Sequence, residues 1–428
     1  MQQLKQHPRV AIIGSGAREH AITWKLSQSP LHPVLYTVPG NPGMWDLAAK
    51  VDVSPSDHAQ FITWAQHESI DFIVVGPEQP LAEGLVDALA AVDIPAFGPS
   101  AAAAQLESSK AYSKSVMKEA DVPTAKFEAF TDASKAMSYV RTLAFPVVIK
   151  ADGLAAGKGV VIVDTEDQAD ATIRDMLEGN RFGASGHKVV IEEFLVGEEV
   201  SLMYFVDRDT VVPMLPARDF KRVGEGDQGP NTGGMGAFCP VPVFLERNWT
   251  PYVTDKIVRP TLQALNKQGI TYRGVLYVGL MITHDGPKVI EFNARFGDPE
   301  TEVVLPLLSS DLLEIMWATA HDELSAVNVK WQDAASVCVV LAGGEYPAKS
   351  DHGTPIQLST ETPEDIRLFH AGTTIENGQL VTAGGRVITV SAVGQDIPSA
   401  VKWVYANITQ AHFAEMQYRR DIAHNWQR

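Results

Sequence analysis

Cysteine is almost missing from this chain of 428 residues, which holds only Cys239 and Cys338. The two stand far apart, offer no metal-ligand spacing and give no disulfide framework, so a reducing setting fits and burial must hold the fold. Long apolar runs are missing as well: none reaches the ~18 residues of a membrane span. The opening MQQLKQHPRVAIIG has too short an apolar segment for a signal peptide, and a cytoplasmic chain without membrane contact is expected. Basic tracts are absent, and 35 basic against 52 acidic side chains leave a net charge of -17. That balance argues against a nucleic-acid partner, because a polyanion needs a cationic face. Any phosphate bound here must be held by a few local cations. A P-loop is lacking too. In KADGLAAGKGV, Lys150 to Val160, only three residues separate Gly153 from Gly157, and Gly159 stands where the motif needs a magnesium-binding hydroxyl.

What is present is length and alternation. A prior of roughly 150 residues per domain suggests about three domains, and a hydrophobic content of 45% fills several cores. Up to about residue 100, short apolar runs (RVAIIG, PVLYTV, DFIVVGPE) alternate with amphipathic segments (AREHAITWKLSQS, SDHAQFITWAQHE). Such alternation predicts βαβ units around a parallel sheet. The turn IIGSGAREH carries Gly14 and Gly16 but has Glu19 at the third glycine position of a dinucleotide fingerprint, so NAD is weakly supported. Two glycines opening a helix still offer backbone N–H groups to one phosphate, with Arg18 as counter-charge. Beyond about residue 105, ESSKAYSKSVMKEA reads as helical, and FPVVIK and GVVIVD read as two strands flanking the glycine-rich connection. YRGVLYVGLMIT and PKVIEFNARFGDPE read as paired strands. SVCVVLAGGEYP and GRVITVSAVG read as strands, and PSAVKWVYANITQ as a final helix. The last hundred residues show no catalytic constellation and read as a packing segment that helps close the site.

Four stretches carry chemistry. Lys150 ends VVIK, and strand alternation lets its ammonium leave the sheet for a cleft, beside a glycine loop able to fold over a triphosphate. In VIEFNARF, Glu291 and Asn293 are two apart, so both side chains share one strand face while Phe292 packs on the other. A carboxylate and an amide beside Arg295 suit magnesium, which takes few protein ligands and completes its shell with water and phosphate oxygens. VIEEFL ends a strand whose backbone suits an adenine edge, with Glu199 placed for ribose hydroxyls. DFKRVGEGDQGPNTGGMGAF joins Lys221 and Arg222 to glycines that let backbone surround a small substrate, or else forms a mobile surface loop.

Together GSGAREHA, PGNPG, VVGPEQPL, IKADGLAAGKGV with VIEEFLVGEE, KRVGEGDQGPNTGGMGA and VIEFNARFGDPE, in that order from about residue 12 to 302, resemble the ATP-grasp ligases. Within them the resemblance is to the phosphoribosylamine–glycine ligase family, RFGDPETE being its most specific signature. It implies an α/β and α+β multidomain chain: a doubly wound parallel-sheet domain over 1–105, an ATP-grasp domain of two lobes over 106–325 with a mobile lobe at about 122–194, and a C-terminal α/β domain over 326–428. The implied reaction joins glycine to 5-phosphoribosylamine through glycyl phosphate, with ATP as substrate and Mg2+ or Mn2+ as metal. By this likeness Lys110, Lys150, Gly153, Gly157, Lys158 and Gly159 meet phosphates, while Glu192, Glu193, Phe194, Leu195 and Glu199 hold adenosine. Glu291 and Asn293 bind the metal. Gly14, Gly16, Arg18, Gly40, Asn41 and Glu78 help bind phosphoribosylamine, and Asp219, Lys221, Asn231 and Arg295 touch substrate. Lys150, Arg295 and Asp298 are the implied catalytic group. A monomer or weak homodimer is expected, and the alternatives are another ATP-grasp carboxylate–amine ligase or a biotin-dependent carboxylase. The chain departs from the family pattern in reading GSGAREH for GNGGREH and in placing Phe220 where histidine is common before Lys-Arg. Both departures concern substrate contacts and leave the reaction intact.

Overall fold

The computed structural model describes residues 4–154, 159–179 and 187–427. Its N-terminal part is a parallel sheet of five strands, ordered in space Ala49–Lys50, Val34–Pro39, Arg9–Gly14, Phe72–Val75 and Ala96–Phe97. Both central strands are buried runs of mainly aliphatic residues, as a sheet covered on two faces requires. Their period of two feeds two cores. Val10 and Ile12 pack with Ile22 of the helix Ala17–Ser27 and with Leu313 and Met316 of the helix Leu312–Ala320. Ala11 and Ile13 pack with Phe61, Leu81 and Leu85 on the other side. Strand order reverses between Arg9–Gly14 and Phe72–Val75, so the crevice at their carboxyl ends is where such sheets take ligands.

The expected pairing around Lys150 is present. Val147–Ala151 and Val160–Val163 form an antiparallel pair with Lys150 opposite Val160. Phe127–Phe130 and Val189–Glu193 complete a four-stranded sheet, backed by the helices Ala133–Val140 and Glu166–Leu177 over a small core of its own. A second antiparallel sheet faces it, ordered Thr210–Pro213, Glu198–Asp207, Arg273–Thr283 and Gly286–Asn293. One face buries Leu202, Tyr204 and Val278 against Leu262 and Leu265 of the helix Arg259–Lys267; the other sends Phe205 and Val275 to the core under Leu312–Ala320.

The C-terminal part is stitched to the centre. Arg218–Asp219 and Gly236–Cys239 extend a sheet whose other strands are Ala335–Ala342, Arg386–Gly394 and Ile366–His370, and the helix Ile397–Ala406 packs on it. The two expected strand runs and the final helix are therefore in place. The further strands Asp351–Leu358, Thr373–Glu376, Gln379–Gly384 and Ala411–Phe413 form another sheet beside them.

The N- and C-terminal parts meet at two buried histidines. The His370 N–H donates to Nδ1 of His20 at 2.8 Å, and the Asn41 amide donates to the His370 carbonyl at 2.7 Å. Glycine is required at Gly43 because a Cβ there would strike both imidazoles. Burial, and for His20 also the neighbouring imidazole, keep both rings neutral: His20 falls well below 6.5 and His370 to about 4. In the window from 6.5 down to about 4 the unfolded chain holds more protons than the folded one, so stability falls as pH falls. For His370 the full loss is roughly 3 kcal/mol, reached below both values. Unfolding free energy is thus expected to drop less steeply below about pH 6.5 in a His370→Gln variant than in the parent, as denaturant midpoints taken across that range would read out. Equal slopes would remove the histidines from this account.

Candidate active site

A cavity of about 450 Å³ lies between the sheet that carries Lys150 and the sheet that carries Glu291. It is within the usual ~300–1,000 Å³ of small-ligand pockets. Its apolar lining includes Leu106, Met117, Val148, Ile162, Phe194 and Met281. The lining also collects seven cations, Arg18, Lys110, Lys114, Lys150, Lys221, Arg295 and Arg386, set among nine carboxylates, so the cations are gathered locally but are paired rather than in excess.

Lys110 is placed by a helix break. The segment expected as one helix is two, Ala101–Ser108 and Lys110–Glu119, because Ser109 is extended and its Oγ accepts the Tyr112 N–H at 3.1 Å. Asp152, just after the Lys150 strand, ties down the new helix start: its carbonyl accepts the Lys110 N–H at 3.0 Å and its carboxylate accepts the Ala111 N–H at 2.7 Å. The Lys110 ammonium donates to the Gly153 carbonyl at 3.0 Å.

Lys150 is buried and shares Glu192 with a second lysine. Its Nζ lies 2.8 Å from Glu192 Oε1 and donates to the Ile290 carbonyl at 3.1 Å; Lys114 Nζ lies 2.9 Å from Glu192 Oε2 and donates to Thr124 Oγ1 at 2.7 Å. Burial lowers the Lys114 ammonium to about 8 against the pull of Glu192. Burial raises the Glu192 carboxyl, but Lys150 and Lys114 overcome it and hold it below the usual carboxylate value. The Ile290 carbonyl is presented by a bulge: Glu291 pairs with Gly279 and Val289 with Leu280, leaving Ile290 as the extra residue.

Glu291 and Asn293 line the cavity; Phe292 between them belongs to the core and also borders the cavity, so the alternation expected from sequence is not complete here. Burial pushes the Glu291 carboxyl up, yet Lys221, Lys150, Lys110 and Arg295 outweigh it and keep it anionic. The wall that carries Asp219, Lys221 and Arg295 is also paired. Lys221 lies 2.9 Å from Glu199, and burial with nearby carboxylates raises Asp219 to about 8 despite Lys221. Arg295 meets Glu107 at 2.9 Å and Glu78 at 3.4 Å, and Arg18 meets Glu78 at 3.9 Å. Arg386 meets Asp298 at 2.7 Å and the Gly233 carbonyl at 2.7 Å.

Of the residues expected from sequence, the cavity brings together Arg18, Glu78, Lys110, Lys150, Gly159, Glu192, Glu193, Phe194, Leu195, Glu199, Asp219, Lys221, Asn231, Glu291, Asn293, Arg295 and Asp298. Gly153 stands behind Lys110. Gly157 and Lys158 lie outside the described residues. Gly14, Gly16, Gly40 and Asn41 are not on the lining, and for Gly14, Gly16 and Asn41 the reason is physical. The Gly16 N–H is taken by the Glu19 carboxylate at 2.8 Å, and a Cβ on Gly14, at φ +118, would press on Glu19 Cγ at 2.6 Å. Those glycines make room for a carboxylate where a dinucleotide turn admits pyrophosphate, and the NAD reading falls with it. Asn41 is buried, capping a short helix and spanning the Ser15 and His370 carbonyls at 2.8 and 2.7 Å.

Three family models match in succession: phosphoribosylglycinamide synthetase N domain over residues 8–107, its ATP-grasp (A) domain over 108–301 and its C domain over 336–425. The chain belongs to the phosphoribosylglycinamide synthetase family. Among curated relatives, the phosphoribosylamine–glycine ligase of Agrobacterium fabrum is 47% identical over 423 residues, covering 98% of each chain. A crystal structure of phosphoribosylamine–glycine ligase from Thermotoga maritima superposes with a TM-score of 0.85 at 34% identity, covering 97% of this chain and 100% of that one. The biotin carboxylase domain of a Hydrogenobacter thermophilus 2-oxoglutarate carboxylase, solved with MgADP and bicarbonate, shares the fold at 17% identity, a TM-score of 0.74, and coverage of 96% and 92%.

Against that family background the cavity adds residues that the sequence reading passes over: Lys114, Glu107, Tyr277, Glu300 and Arg386. Lys114 had a signal, since it lies one helical turn from Lys110 on the same face. Arg386 had none. It opens a strand of the C-terminal segment, so that segment does more than pack: it puts a guanidinium into the site.

Proposed function

We propose that the chain is an ATP-dependent carbon–nitrogen ligase of purine biosynthesis, joining glycine to 5-phosphoribosylamine through glycyl phosphate. The observation that carries this reading is that Lys150, the Glu291–Asn293 pair and the Asp219–Lys221–Arg295 wall line one cavity between two sheets. ATP lies with its base against apolar lining residues such as Val148, Ile162 and Phe194 and its phosphates toward Lys110 and Lys150. Glycine lies toward Lys221 and Arg295, and the sugar phosphate toward the switch point of the parallel sheet, at Arg18 and Glu78. In this division of labour residues 1–105 hold the sugar, 106–325 the nucleotide and 326–428 close the site.

A carboxylate is too poor an electrophile for an amine. A glycine carboxylate oxygen therefore attacks the γ-phosphorus, ADP leaves, and the phosphate becomes a leaving group on the acyl carbon. The sugar amine attacks that carbon, one amine proton is released, and the C–O bond to phosphate breaks to leave the amide. The chain supplies position and charge: Lys150 and Lys110 offset the negative charge on the transferred group, Arg295 orients the carboxylate, and a closed cavity keeps water from the acyl phosphate. Asn293 and the anionic Glu291 fit a divalent ion that takes its other ligands from phosphate and water, either Mg2+ or Mn2+. Such an ion, when bound, neutralises phosphate charge. A cytoplasmic setting suits these substrates.

Hydroxylamine traps acyl phosphates as hydroxamates. With ATP, metal, glycine and hydroxylamine but no phosphoribosylamine, the enzyme is expected to form glycine hydroxamate with ADP release in proportion. ADP release without hydroxamate, while complete mixtures still make the amide, would rule out a free glycyl phosphate.

A further inference from the structure

Arg419 is 1% exposed, an unusual place for arginine, and it reaches from near the end of the chain to the glycine-rich hairpin of the cavity wall. Its guanidinium donates to Asp227 Oδ1 at 2.8 Å, to the Arg222 carbonyl at 3.1 Å and to both Asp421 oxygens at 2.8 Å, and it lies 5.0 Å over the Phe220 ring. Asp421 in turn accepts the Gly226 N–H at 2.8 Å. The strands Arg222–Gly224 and Gln228–Asn231 of that hairpin are thereby fastened at the turn and at the base.

The same hairpin springs from the substrate wall. Asp219 and Lys221 precede it, Asn231 ends it, Thr232 and Gly233 follow it, and the Thr232 N–H donates to the Lys221 carbonyl at 2.7 Å. Phe220 alternates with Asp219 and Lys221, so its ring goes to the core, where Arg419 covers it, while its neighbours face the cavity. The position that departs from the family pattern is thus the one the guanidinium stacks on.

We infer that Arg419 is a positioning residue for the acceptor substrates: outside the cavity itself, it sets the placement of Asp219, Lys221 and Asn231 through Phe220 and the hairpin. A lysine cannot replace it fully, since only a planar fork can chelate Asp421, reach Asp227 and lie flat on a ring. This inference rests on the ligase reading, and one experiment separates the two. Steady-state KM values for ATP, glycine and phosphoribosylamine are measured for the parent, Arg419→Gln, Arg419→Lys and Asp227→Ala, with thermal midpoints alongside. Asp227 is half-exposed, so its replacement leaves a folded protein even if Arg419→Gln does not.

The expected result is a rise of about tenfold or more in the glycine or phosphoribosylamine KM for Arg419→Gln. A smaller rise in the same constant is expected for Asp227→Ala, partial recovery for Arg419→Lys, and an ATP KM close to the parent in all three. Acceptor KM values at parental level in folded Asp227→Ala and Arg419→Gln would overturn it. So would parallel losses in every constant that track the thermal midpoint, since those mark a purely structural role. A parent that fails to consume glycine would sink the ligase reading instead.

Discussion

Replacing Lys150 by methionine is expected to lower kcat by about 10²–10³-fold, the size of losing one preorganised charge donor at a transition state. Methionine fills the buried volume but removes the ammonium, next to the end of its strand, that lines the cavity where the phosphates are proposed to lie. Folding survives because Glu192 keeps Lys114 at 2.9 Å. Stranding a buried carboxylate entirely costs about 3–5 kcal/mol, and here one partner remains. The split between kcat and the ATP KM is informative. A Lys150 that stabilises the transferring phosphoryl group lowers kcat, whereas one that only anchors ATP raises KM. Rates near the parent's in a folded Lys150→Met protein would remove Lys150 from the chemistry.

Asn293→Ala and Glu291→Gln are the second pair of large effects. Both side chains lie on the cavity face of one strand, and Glu291 stays anionic because Lys221, Lys150, Lys110 and Arg295 surround it. On the proposed reading, either change would take one oxygen ligand or its charge from a metal that has few protein ligands to lose. The expected outcome is a rise of about 10-fold or more in the metal concentration giving half-maximal rate, with kcat at saturating metal lower by about 10²-fold. Titrating Mg2+ and Mn2+ separately against both variants reads this directly. A parental metal dependence in both would show that the pair serves only the sheet.

Much of this arrangement is legible in the sequence because it depends on alternation. VVIK and VVIV are β-branched runs too short for helices, so their glycine connection reads as strand, loop, strand, and the structure pairs them with Lys150 opposite Val160. Glu291 and Asn293 follow from the same rule. What escaped is chemistry set by tertiary packing. Glu192 reads in the sequence as an adenosine contact but lies between two lysines, Lys150 and, from an earlier helix, Lys114. The break at Ser109 is hidden because Ser108 and Ser109 sit inside a plausible helical run, and only Asp152, packed against it, decides which serine caps. Gly14 and Gly16 look like phosphate turns until Glu19 fills them. The C-terminal strands Thr373–Glu376 and Gln379–Gly384 are short and mix buried, half-buried and exposed residues without strict alternation, so they carry little hydrophobic periodicity.

The central claim is that one cavity couples ATP to glycine and a sugar amine. Phosphate release is measured with ATP, metal, glycine and freshly made phosphoribosylamine, omitting each in turn. Sustained release that needs all of them, one phosphate per glycinamide ribonucleotide formed, is the predicted result. Release that ignores glycine, or that answers to bicarbonate in its place, would contradict it.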